Sequence, residues 1–148
     1  MNKNWMVRRA YHFPGVSIIV PDVVGIVASE LPLLPPGSYP KETNDFRLNR
    51  VIGNFGLFTK THFEKEYFDQ PVQDFDYPIE FRVKYTIEDL RYVNCDIYML
   101  KLAYWDTEKW VIVSTEAYEY MIYPESTAMF AEFKIWSWLG DPTLAWGD

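Results

Sequence analysis

The sequence predicts an all-β protein: a single antiparallel β-sandwich domain over residues 1–148, with one short helix near residues 86–93. Three observations predict it. Apolar and polar residues alternate along several segments, the period of a strand with one face on a core and one in water. Hydrophobic residues make up 49% of the chain and aromatic residues 18%, which is ample to fill the space between two sheets. Only one segment carries a convincing helix start. Roughly seven to nine strands follow from this reading.

Taken in order, Trp5, Val7, Arg9 and Tyr11 give a weak first alternation. The β-branched run Val16–Val20 reads as a second strand. Residues 31–45 hold Pro32, Pro35, Pro36 and Pro40 with Gly37 and Ser38, a density no central strand tolerates. An extended loop of polyproline character is expected there, wrapping a sandwich edge. Its Leu31–Pro36 stretch lacks the basic residue that orients proline-rich ligands. Arg50 to Phe63 holds one or two strands, with Gly53 and Gly56 as bends or bulges. Ile79, Phe81, Val83 and Tyr85 then share a core face, and Glu80, Arg82 and Lys84 share a polar one. Thr86-Ile87-Glu88-Asp89 is a capping-box signature, so a helix of about two turns follows, ending near Asn94.

The last third reads as two hairpins. In the first, Trp105 opposite Trp110 fixes the register: Tyr104 faces Val111, Leu102 faces Val113, and these point to the core. Lys101, Ala103, Trp105, Trp110 and Ile112 then lie on the other face. In the second, Tyr123 opposite Ala128 sets Met121 against Phe130 and Glu119 against Glu132. Two carboxylates are too few for a calcium site. Residues 136–148 carry three tryptophans but also Gly140, Pro142 and Gly147, so an irregular tail packed over an edge or over the Trp pair is expected.

Composition excludes several functions. One cysteine, Cys95, rules out a disulfide scaffold. A net charge of −7 argues against nucleic acid, since Arg8 and Arg9 point to opposite faces of a strand. Pro21, Asp22, Ser29, Glu30 and Pro32 interrupt the longest apolar stretch, so no membrane-inserted helix is expected. No signal peptide is visible at the N-terminus. His12 and His62 are the only histidines, and no nucleophile elbow, P-loop or HExxH motif is present. No catalytic residue, metal site or cofactor is expected.

The order Phe75-Asp76-Tyr77-Pro78-Ile79, Val83 to Leu90, Leu100 to Trp105 and Trp110-Val111 resembles a β-sandwich module of bacterial and archaeal surface proteins, itself similar to ZU-type domains. Gly15 to Pro21 is similar to that module's early strand. The resemblance implies a non-catalytic sandwich used for protein interaction or spacing, and an extracellular location; without it, a cytoplasmic one. Some ZU-type domains cleave themselves at a His-Phe-Ser tripeptide. Here Ile135-Trp136-Ser137 stands at that place, so Ser137 lacks its base and self-cleavage is not expected.

The functional expectation is a structural or protein-interaction module, an accessory domain with a protein partner or self-association through Trp105, Trp110, Ala103 and Ile112. The alternative is a carbohydrate-binding module with Trp105 and Trp110 as its stacking platform, flanked by Lys101, Asp106, Glu108 and Ser114.

Overall fold

A computed structural model of the chain places the alternating segments in two antiparallel sheets that pack face to face, an all-β sandwich. The structure describes residues 7–35, 37–43, 45–59, 74–114, 119–123, 129–137 and 143–148. Eleven strands occur among them: β1 (Arg8–Phe13), β2 (Val16–Pro21), β3 (Ile26–Leu31), β4 (Glu42–Thr43), β5 (Phe46–Thr59), β6 (Asp74–Lys84), β7 (Lys101–Trp105), β8 (Trp110–Ile112), β9 (Glu119–Tyr123), β10 (Phe130–Ser137) and β11 (Thr143–Gly147). The first sheet has the order β1-β2-β6-β10-β9. The second has the order β3-β5-β11-β7-β8, with β4 added beside β5.

The count exceeds the expected seven to nine because β3, β4 and β11 escape the sequence pattern. β3 lies in the apolar stretch that ends at the prolines. The turn before it is closed by Gly25 at φ 68, a conformation L side chains avoid. β5 is one strand of 14 residues rather than two. Its early part pairs with β11 and its late part with β3, which explains how one segment serves two neighbours.

The core lies between the sheets, where period-two alternation puts every second side chain. Phe81 and Phe133 stack at 4.9 Å between ring centroids. Ile18, Val83, Ile135, Phe55, Leu57 and Leu102 are buried around them. Each such side chain contributes about 1.5–3 kcal/mol on burial. Tyr104 and Val111 lie on the expected side but are only half-buried.

The capping box forms as read. Helix α1 (Ile87–Tyr92) starts at Thr86, whose hydroxyl accepts from the Asp89 backbone N–H, and the Asp89 carboxylate accepts from the Thr86 N–H at 2.8 Å. Asp89 is fully buried and also accepts a two-pronged bond from Arg50, at 2.8 and 2.7 Å, and one from Asn49 at 2.9 Å. Burial alone would raise the Asp89 pKa. The Arg50 and Thr86 hydrogen bonds outweigh it and hold the carboxyl below its ordinary value. The helix is thereby tied to β5.

Two expectations are corrected. The β9–β10 hairpin is shifted by two residues: Tyr123 faces Phe130, Glu132 faces Met121, and Glu119 faces Lys134. Each residue keeps its face, because the shift is even. The register of β10 is set by β6, with Phe133 opposite Phe81. Met129, at φ 45, gives its carbonyl to the Tyr85 N–H instead of continuing the strand. The Glu119–Glu132 pairing therefore does not form. The C-terminal segment is not an irregular tail either. Residues 136 and 137 finish β10, and β11 inserts between β5 and β7 in the second sheet. Trp146 is buried in the main core, edge-on to Tyr85 at 5.8 Å, and donates its indole N–H to the Lys84 carbonyl at 2.8 Å. Gly147 permits this insertion, since a Cβ there would collide with the Arg47 carbonyl oxygen.

Candidate functional site

Two outer sheet faces are the candidate surfaces. The outer face of the second sheet carries the predicted Trp pair. Trp105 faces Trp110 across β7 and β8, as the hairpin reading requires, and their rings meet edge-on at 5.2 Å. Ala103, Trp110, Phe46 and Ala145 form a second cluster apart from the main core, with Ile112 and Trp105 packed against it. A stretch of the proline-rich loop lies across this cluster. Tyr39 contacts both indoles, at 5.9 Å to Trp105 and 5.6 Å to Trp110. Phe46 sits 5.7 Å from Trp110, and the Trp110 N–H donates to the Pro40 carbonyl at 2.9 Å. Tyr39 is fixed in turn by Thr143, 3.1 Å from its hydroxyl.

The consequence is that Trp110 is 5% exposed. It has no free ring face to offer a sugar. The cover over Trp110 is Tyr39, Pro40 and Phe46, not the C-terminal segment. Of the expected polar neighbours, Asp106 is used locally. Its carboxylate accepts the N–H groups of Glu108 and Lys109 at 2.9 and 2.7 Å and closes the hairpin.

The outer face of the first sheet is built differently. Strand register aligns its outward side chains in rows. One row runs His12, Ser17, Arg82, Glu132, Met121 across β1, β2, β6, β10 and β9. The adjacent row runs Ala10, Ile19, Glu80, Lys134 across the first four of them, in the order β1, β2, β6, β10. A concavity of about 320 Å³ opens over these rows. Its charged lining is Arg8, Glu80, Arg82, Glu132 and Lys134. Ile19, Pro21, Tyr77 and Pro78 supply its apolar part.

Glu80 and Glu132 lie diagonally across β6 and β10, brought close by the strand register. Glu80 is only 9% exposed. The Arg82 guanidinium reaches both, at 3.6 Å to Glu80 and 3.4 Å to Glu132. The Glu80 hydrogen bond, then burial, then the Glu80 charge push Glu132 up to about 7; Arg82 and Lys134 oppose the rise without cancelling it.

Other candidate groups are dispersed. The His12 Nδ1 is 2.8 Å from the Ser17 hydroxyl, but both are on the open face and no carboxylate holds the imidazole among the described residues. His62 lies outside the described residues. Cys95 is exposed just after α1. Ser137 is exposed at the end of β10, while Ile135, at the place of the missing histidine, points into the core. Among the described residues, no group of three or more His, Cys, Asp or Glu is placed to hold a metal ion, and no helix is long and apolar enough to cross a membrane.

The carboxyl pair escaped the sequence reading because Glu80 and Glu132 are 52 positions apart and meet only through the β6–β10 register. The available signal was that both stand at outward positions of strands. Comparison with family models, with curated proteins and with solved structures gives no match.

Proposed function

We propose that the chain is a non-catalytic binding module whose contact surface is the outer face of the five-stranded sheet, centred on Glu80, Arg82, Glu132 and Lys134. The observation that carries this reading is the carboxyl pair itself. Two acids pressed together, with one of them nine-tenths buried, cost folding free energy that an apolar or singly charged pair would not. Groups with displaced pKa values in a surface concavity are characteristic of functional sites. The module reading agrees with the ZU-type-like order of motifs, and moves the contact surface from Trp105, Trp110, Ala103 and Ile112 to the opposite sheet.

Catalysis fits less well. Paired acids of glycoside hydrolases stand ~5–9.5 Å apart to flank a scissile bond, whereas these two converge on one guanidinium, that of Arg82. Among the described residues, no base is seen at Ser137 and no carboxylate orients His12 toward Ser17 as a triad would require.

The test is the pH dependence of stability in the parent and in a Glu80→Gln, Glu132→Gln double variant. Glu132 titrates at about 7 when folded against an ordinary 4.5, so the folded state binds the extra proton between those values. Its contribution is therefore complete below 4.5 and lost as pH rises through about 7. At pH 8 the double variant should melt at a higher temperature than the parent. A variant that melts several degrees lower would make the pair a folding element and remove this reading.

A further inference from the structure

The geometry points to an uncharged saccharide as the ligand of the concavity on the five-stranded sheet, an inference that rests on the binding-module reading above. The charge balance comes first. Three cations, Arg8, Arg82 and Lys134, face the carboxyls of Glu80 and Glu132, and Arg82 is already engaged by both. An anionic ligand would have to compete with those acids for Arg82. A cationic ligand would meet three like charges. A neutral molecule rich in hydroxyls meets neither penalty, and it matches a lining in which donors and acceptors alternate within one or two side chains.

The apolar part of the site fits the same ligand. A sugar ring has a C–H face as well as hydroxyl edges. Ile19, Pro21 and Pro78 give the concavity an apolar side, and Tyr77 stands at it 42% exposed. Trp136 follows Lys134 by two residues on β10, and its side chain is 50% exposed. Unlike Trp110, it is half exposed. The volume, about 320 Å³, is at the lower end for small-molecule sites and suits a short stretch of a polysaccharide rather than a protein face.

The probes are four neutral polysaccharides (a mixed-linkage β-glucan, xylan, galactomannan and arabinan) and one acidic one, polygalacturonate. Native electrophoresis through each, followed by isothermal titration, reads the binding. The parent chain should be retarded by at least one neutral polymer. Trp136→Ala and Glu80→Gln should each weaken that binding at least tenfold. Tyr98→Ala, remote and 91% exposed, should bind as the parent does. No retardation by any neutral polymer overturns the inference, as does retardation unaffected by Trp136→Ala and Glu80→Gln. Preference for polygalacturonate overturns it in favour of anion recognition by Arg8 and Lys134. The stability test separates the two levels. If the double glutamine variant is stabilised but no saccharide binds, the ligand class falls and the binding-module reading stands. If the variant is destabilised, both fall.

Discussion

The two outer faces of this sandwich share a scaffold and differ in what covers them. Behind the second sheet, Tyr39, Pro40 and Phe46 close over Trp105 and Trp110, and the Trp110 N–H finds a carbonyl. On the first sheet, rows of charged side chains lie under a concavity that no described segment crosses. The contrast shows where aromatic residues serve folding and where polar ones serve something else. Two indoles left in water would be costly, so the chain supplies its own cover. A carboxyl pair is costly in a different way. Arg82 and Lys134 offset that cost only in part.

The comparison breaks most easily at its covered side. Trp110→Ala should cost about 3–5 kcal/mol, because the indole fills the second cluster and its removal leaves a cavity. Trp136→Ala, on the open side, should change stability by less than about 0.5 kcal/mol. Urea denaturation of the two variants reads the difference. Equal costs would mean that the two tryptophans are equally covered and that the contrast is false.

Asp89→Ala probes a buried acid that does serve folding. It strips Arg50, Asn49 and Thr86 of their common acceptor and should cost about 3 kcal/mol. The pH signs sharpen the contrast with Glu132. Asp89 has a folded pKa below its ordinary 3.8, so its contribution is present above that value and lost as pH falls through the lower one. Glu132 behaves oppositely, losing its contribution as pH rises. Melting curves across acid and neutral pH should show both slopes in the parent and only the Glu132 slope in Asp89→Ala.

A smaller effect is expected at the strand that replaced the anticipated tail. Gly147→Ala places a Cβ against the Arg47 carbonyl, which is backbone and cannot swing away. A loss of about 1–3 kcal/mol is expected in the same denaturation assay. No loss would mean that β11 is not held tightly beside β5.

Much of the fold was legible because its rules are local. Alternation alone separated Leu102 and Val113 from Ala103, Trp105 and Trp110, and the capping box at Thr86 and Asp89 announced α1. β11 was hidden because Gly140 and Pro142 precede it and Gly147 ends it, a composition that reads as loop. Its strand character comes from the pairing with β5 and β7 on either side. The register error at Tyr123 had a similar cause. The hairpin was read from its own turn, while β6 governs the alignment of β10. The candidate site was the least legible part. Glu80 and Glu132 each look like an ordinary solvent-facing residue, and only three-dimensional register makes them a pair.

The most direct test of the account is a carbon-detected NMR titration of the glutamate side-chain carboxyls, with Glu132 assigned through its Gln variant. The account predicts one glutamate titrating at about 7, moving back toward 4.5 in Glu80→Gln. A Glu132 that titrates near 4.5 in the parent chain would contradict it, because Glu80 would then leave its neighbour unperturbed.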